Sequence, residues 1–224
     1  WGGHYSENSA AAAIFEQFYI IFVKNLIKDE LGEELYKEYL GSKILVRKLM
    51  KNIWNNQDSQ WCDDVSTTDK KETFSEIIQK SFKETIDKLA EELGDQPGDW
   101  EWGEIHQLTL NHPIGGEVPI LDLLFNMNCG PFETGGSFHT VCPYSYPFTN
   151  VFNVNHGASH RHVYSPGNWD SSRVVIPTGT SGIPASKYYC DQTRTYINRE
   201  YNRELFSKEE VNENFRYYMT INEK

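Results

Sequence analysis

Residues 99–116 read DWEWGEIHQLTLNHPIGG, and the chain changes character across them. Just upstream, Gly94-Asp95-Gln96-Pro97-Gly98 is a run of turn formers that neither a helix nor a strand crosses easily. Pro97 is the only proline in the first 98 residues, whereas the remainder holds eight of the nine prolines and six of the seven histidines. The reading is therefore a helical segment over 1–98 and a strand-rich segment with C-terminal helices over 99–224, its first strand at about 104–110. Trp100 and Trp102 have the flat faces needed to stack a sugar or a base, but the simpler expectation is that they cover the edge of a layer.

Upstream of the break, Ile14, Phe15, Phe18, Ile21, Phe22 and Leu26 recur at helical spacing, with Asn8 or Ser9 as N-cap and Gly32 as stop. Further helices are expected at Glu33 to Leu40, at about Ser42 to Asn55, and behind Ser66-Thr67-Thr68, the last burying Phe74, Ile77, Ile78, Phe82, Ile86 and Leu89. Downstream, short strands are expected near 137–142, 150–154, 160–165 and 172–176, with a short helix over residues 119–125. Residues 186–204 and 207–215 look helical, the latter behind the capping box Ser207-x-x-Glu210. Helices, then an antiparallel meander, then helices predict an α+β fold.

A chain of 224 residues supports a sizeable core. A formal charge of −11 argues against a nucleic-acid surface, since phosphate binding needs clustered Lys and Arg. The acidity is shared between the halves, 12 basic and 18 acidic residues before 99 and 9 and 14 after it, as on a solvated surface. No membrane span is expected: the most apolar stretch, residues 10–27, is broken by Glu16, Gln17, Lys24 and Asn25. That stretch also lacks the basic start and cleavage site of a signal peptide, and the chain opens on Trp1, as a processed product or fragment would. Cys62, Cys129, Cys142 and Cys190 include no C-x-x-C pair, so zinc spacing is absent, and disulfides are allowed without being demanded.

Candidate chemistry is sparse. His156, His160 and His162 invite a metal, and on a strand His160 and His162 share a face while Arg161 and Val163 take the other. No carboxylate or thiol within the segment completes that set, and Arg161 opposes a cation, so strand histidines are the expectation and no metal site is assigned. His139 and Cys142 differ in strand parity, so they do not meet as a nucleophile and base; a buried, inert Cys142 is expected. Gly157 to Arg161 fails the G-x-S-x-G elbow at its last position, and Gly179-Thr180-Ser181-Gly182 lacks a P-loop lysine, so it reads as a tight turn. Asp63-Asp64 and Glu91-Glu92 read as solvated carboxylates.

Five segments in order resemble the penicillin acylase (penicillin amidase) family of N-terminal-nucleophile hydrolases. WGGHYSENSAAAAIFEQFY is similar to its Trp-Gly turn leading into an Ala-rich helix, and WEWGEIHQLTLNHPIGG to its W-G-x-x-H segment with His-Pro and a glycine pair. GPFETGGSFHTV resembles its Gly-Gly-x-x-x-Thr-Val stretch, HGASHRHV its Gly-x-Ser-x-Arg strand, and VVIPTGTSGIPASKYYCDQ its P-x-G-x-S-G-x-P-x-S segment. The matching scaffold positions are Trp102, His106, Gly116, Gly136, Thr140, Gly157, Ser159, Arg161, Ser181 and Gly182. Departures fall on framework segments: Cys142 follows Thr-Val where Asn is expected, Ala158 replaces a commoner Pro, Cys190 replaces an aspartate-type position next to Asp191, and the Trp of the final helix is absent.

The resemblance implies part of a four-layer αββα sandwich, with antiparallel sheets flanked by helices. It implies a precursor that cuts itself to expose Ser, Thr or Cys as residue one of a β chain, its α-amino group serving as base. Trp1 has no nucleophilic atom, so the nucleophile and oxyanion residues are expected upstream, and the catalytic residues in this chain are none. The expected role is the C-terminal portion of a β subunit, inactive alone, partnered by the α chain and the N-terminal β-chain segment. The implied substrate is an N-acylated small molecule, of β-lactam side-chain or acyl-homoserine lactone type. Calcium is implied only through residues outside the chain, and the family resemblance favours a secreted, periplasmic or cell-envelope setting. The rival reading is a non-catalytic binding or scaffold domain of a degenerate acylase relative.

Overall fold

The computed structural model describes residues 5–217 and 219–222, so the Trp-Gly turn expected at Trp1 lies outside the described residues. The chain divides into two compact units, one of Trp1–Thr109 with Pro131–Gly157, the other of Leu110–Gly130 with Ala158–Lys224. Its helices and small sheets make an α+β fold.

In the first unit, α1 (Ala10–Leu40) starts behind Ser9, whose Oγ accepts the Ala12 N–H at 3.2 Å. Gly32, with non-helical φ 67° and ψ −179°, interrupts it at the expected stop, so the two expected helices meet there at a kink. By length and composition alone α1 is long and apolar enough to cross a membrane, because its polar interruptions are too few to lower its average; the core helix of a soluble protein passes the same test. Over half of that span is buried inside the fold, with Glu16 and Gln17 among the buried residues. Helix α2 (Lys43–Asn55), capped by Ser42, contributes Val46, Leu49 and Ile53 to the core. Helix α3 (Phe74–Leu93) starts later than Ser66-Thr67-Thr68 suggested, behind a capping box of Thr73 and Glu76. The earlier hydroxyls are engaged elsewhere: Ser66 bonds Asp64, and Thr67 donates to Glu72. Of the expected α3 core positions, Ile77 and Leu89 are fully buried, and Phe82 is exposed. These helices pack Ala12, Ala13, Phe22, Val23 and Leu26 of α1 into one core with Trp100, Trp102, Tyr146, Phe148 and Phe152.

The strand expected at 104–110 is shortened at its start, since α4 (Trp102–Ile105) occupies one turn before β1 (Gln107–Leu110). Helix α5 (Pro119–Phe125) lies where expected. Strand β2 (Cys129–Glu133) had no counterpart in the sequence reading. β3 (Asn153–Val154) pairs with β1 in parallel, Leu108 opposite Val154, rather than in an antiparallel meander. The strand order is β2-β1-β3. Residues 137–142 form no strand. Their side chains bond nearby backbone instead: Ser137 N–H to Thr140 Oγ1 at 3.1 Å, His139 N–H to Ser137 Oγ at 3.0 Å, and Thr140 Oγ1 to the Cys142 carbonyl at 2.7 Å.

The second unit is built on an antiparallel sheet, β4 (Arg161–Val163), β5 (Ser172–Val175) and β6 (Asn202–Glu204), with Arg161 opposite Val175 and Val174 opposite Asn202. The helix expected over 186–204 shrinks to α6 (Thr193–Ile197), because Asn202–Glu204 are taken up by the β5 edge. Helix α7 (Lys208–Asn214) begins behind Ser207, whose Oγ accepts the Glu210 N–H at 3.3 Å. Cys129 and Cys190 form a disulfide within this unit, and Cys62 and Cys142 are free.

Candidate functional site

The densest constellation of motif residues is in the first unit. Trp102 is fully buried, and its indole lies nearly parallel to the His106 imidazole, 4.3 Å between centroids and 12° apart in plane. Its Nε1–H donates to the Gly136 carbonyl at 2.9 Å. Gly136 sits at φ 74°, and a Cβ there would overlap the Cys142 carbonyl, so only glycine fits. Gly103, one residue beyond Trp102, is hemmed in by the side chains of Glu133 and Glu7.

His106 is likewise buried, and both ring nitrogens meet backbone carbonyls: Nδ1 lies 2.8 Å from the Thr134 oxygen and Nε2 3.1 Å from the Tyr144 oxygen. Thr134 Oγ1, 3.1 Å from Nδ1, donates to it when the proton resides on Nε2. Burial pulls the imidazole down to about 4, against the two carbonyls that favour its charged form. At neutral pH it is therefore an uncharged strut joining three segments of backbone. Its nitrogens are occupied, which suits positioning and not proton transfer to a substrate.

A second buried polar centre was not found by motif reasoning. Glu16 of α1 is wholly buried, and its Oε2 accepts the Tyr146 hydroxyl at 2.6 Å. Burial raises its carboxyl above the usual range despite hydrogen bonds from Tyr146, Ser137 and Tyr5. The signal in the sequence was a lone carboxylate inside an otherwise apolar, alanine-rich run.

Arg161 belongs to the second unit. It leaves β4 with its guanidinium over the Tyr196 ring, 4.4 Å from the centroid, and over Tyr201 at 5.3 Å. One of its nitrogens donates to the Tyr196 carbonyl, the kind of partner a half-buried arginine on the strand required. The Tyr196 hydroxyl returns along the same path to the Ala158 carbonyl at 2.6 Å. His160 and His162 are neighbours on the other face, their rings 5.2 Å apart, and His162 Nε2 pairs with Glu204 of β6. His156 lies in the first unit, its backbone bridged to Ser145. Among the described residues no group of three His, Cys, Asp or Glu could hold a metal ion.

The remaining motif positions serve turns. Thr140 closes the 137–142 loop, and Gly116 donates its N–H to the His112 carbonyl at 2.8 Å. Ser159 is exposed, Gly157 is half-buried, and Gly182 stands in open space. Ser181 accepts the Ile183 N–H at 3.1 Å in the tight turn the sequence suggested. Gly179 opens that turn, and a Cβ there would overlap the Tyr188 carbonyl. His139 and Cys142 are on a looped segment, so strand parity does not govern them: His139 packs 4.8 Å from the Tyr19 ring, and Cys142 is half-buried rather than buried. A groove of about 320 Å³ between α1 and α3, lined by Ala11, Ile14, Phe15, Phe18, Ile78 and Phe82, carries almost no polar surface with which to orient a reacting group.

Comparison with known proteins agrees with the motif pattern. The family model described as penicillin amidase matches residues 1–213. The chain is 25% identical over 197 residues to the acyl-homoserine lactone acylase QuiP of Pseudomonas putida, covering 84% of this chain and 23% of that protein. The protein of the same name in Pseudomonas fluorescens is 26% identical over 203 residues, covering 89% and 24%. A penicillin acylase 2 proenzyme from a Pseudomonas species is 37% identical over 91 residues, covering 41% of this chain and 12% of the proenzyme. The chain thus spans about a quarter of the length of the QuiP relatives it matches.

Proposed function

Because the chain belongs to the penicillin amidase family, we propose that it is the C-terminal portion of the β subunit of an amidohydrolase that cleaves linear amides in N-acylated small molecules. The observation that carries this reading is the family match from residue 1 to 213, together with relatives named as acylases of acyl-homoserine lactones and of penicillin. Acyl-homoserine lactones and β-lactam side chains are the two substrate types those names suggest. The word proenzyme in one of them favours maturation by cleavage.

In this reading the chain contributes helices and strands to a four-layer αββα sandwich and keeps its own polar groups for structure. His106 has both nitrogens against backbone carbonyls, and Arg161 is clasped by Tyr196. The nucleophile would be the first residue of the mature β chain, upstream of Trp1. Its α-amine, which titrates near 7.7–8.0 in model compounds, is far better matched to neutral pH than a lysine near 10.4. Calcium, where the full enzyme holds it, would use ligands outside this chain.

Two measurements test the proposal. The 224-residue chain, incubated with a phenylacetyl chromogenic amide, is expected to show no turnover above background, while the full gene product hydrolyses it. N-terminal sequencing of the mature chains should find Ser, Thr or Cys at a cleavage point upstream of Trp1. Enzyme-like turnover by the chain alone would overturn its assigned role. A full gene product without that residue and without turnover would favour a degenerate scaffold relative instead.

A further inference from the structure

Helix α5 is built the wrong way round for a surface helix. Its sequence, PILDLLF, is mostly apolar, yet none of its residues is buried. Ile120 is 58% exposed, Leu123 80%, Leu124 66% and Phe125 59%, and Ile114 and Val118 just before it are exposed too. Scattered apolar side chains on a surface need no explanation, but a contiguous run of this kind marks an interaction site.

The run is not a loose loop. Asn126 closes α5 in the left-handed conformation, its N–H donating to the Asp122 carbonyl at 2.7 Å. The Asp122 carboxylate accepts the Asn128 N–H at 2.6 Å, and Asn128 Oδ1 accepts the His112 N–H at 2.8 Å. Tyr189 donates its hydroxyl to the Met127 carbonyl at 2.6 Å, and the Cys129–Cys190 disulfide ties the next residues to the chain that follows β5. A surface held this way loses little freedom when it is covered.

We infer that the exposed face of α5 docks an apolar surface from the remainder of the same gene product; this inference rests on the amidase reading above. Two observations choose that occupant. The family match runs unbroken through α5, while the QuiP relatives are about four times as long as their matched segments, so α5 is internal to a family whose members carry much more chain. Between Asn111 and Gly130 the only charged side chains are Glu117 and Asp122, with no lysine or arginine to draw an anionic lipid surface. A dry protein–protein contact suits this composition.

The test places a photoreactive benzophenone amino acid at Leu123, and separately at Phe125, in the full-length gene product, irradiates the purified protein, and identifies the cross-linked peptides by mass spectrometry. Peptides of the same gene product from outside these 224 residues are the expected partners at one or both positions. Cross-links to a second copy of this chain, cross-links to lipid, or none at either position overturn the inference. A Leu123→Lys substitution in the full-length protein should also lower its melting temperature by several degrees, where an uncovered residue would leave it unchanged. Amide turnover measured on the same samples separates the two readings. Expected cross-links without turnover leave the docking face standing and remove the amidase assignment; turnover without them removes the docking face alone.

Discussion

Arg161 shows how a single side chain can organise a motif whose histidines draw attention first. Its guanidinium stacks on Tyr196 and donates to that residue's carbonyl, so Arg161→Ala loses a charge-assisted hydrogen bond and a cation–π contact together. The expected cost is about 2 kcal/mol, read from thermal melts. His160 is exposed, and His160→Ala should stay within about 0.5 kcal/mol of the parent. His162 is not incidental, as its side chain is only 12% exposed and pairs with Glu204, so His162→Ala should fall between the two. The reverse order would return the site to the histidines. His106 makes a pH-dependent prediction. Its folded value of about 4 lies below the ordinary 6.5, so between these values the unfolded chain binds a proton that the folded chain refuses. Stability is then fully present above pH 6.5 and falls as the pH drops to 4, by about 3 kcal/mol from this group. Denaturant titrations from pH 7 to 4 should show a shallower acid limb for His106→Gln, although that variant starts lower. Equal slopes would contradict the assignment.

At the scale of elements, Gly32 carries the sharpest prediction. A Cβ there would meet nothing within 4 Å, so the whole cost of Gly32→Ala comes from backbone held at φ 67° and ψ −179°. That cost should be about 1–3 kcal/mol in urea unfolding. Gly98→Ala, also in open space but without a positive φ, should be near neutral. Equal midpoints for the two variants would mean that α1 does not need glycine to bend. The same residue shows what was legible in the sequence. Helix stops and caps at Ser9, Gly32, Ser42 and Ser207 are local chemistry and could be read directly. The α3 start was misplaced because Ser66 and Thr67 are good caps in isolation, and only the fold shows their hydroxyls already taken by Asp64 and Glu72. The 137–142 strand failed for a related reason, since Ser137 and Thr140 offer the backbone an alternative to a ladder. β2 and β6 exist through their partners, and nothing within Cys129–Glu133 or Asn202–Glu204 announces them.

For the whole molecule, the order of motif segments carried more information than any segment alone, and it pointed to the family that the match over residues 1–213 shows. The candidate site was half visible. Trp102, His106 and Gly136 could be chosen as motif letters, but the Glu16–Tyr146 bond joins residues 130 positions apart and leaves no local trace. The four cysteines were equally silent, and the fold pairs two of them across a separation of 61 residues. Opening that pair with reductant should destabilise the second unit by about 4 kcal/mol if chain entropy dominates. The check is hydrogen exchange at β4 and β5 with and without reductant; unchanged protection would show that the hydrogen bonds suffice. The bond also has a chemical history. Two thiols become a disulfide only by giving up two electrons and two protons, which an oxidant has to take up. An electron acceptor must therefore meet the folding chain, after residue 190 has been made and while Cys129 is still reachable. Maturation of the second unit is in this sense a redox event, and its yield should follow the oxidant available to the cell that makes it.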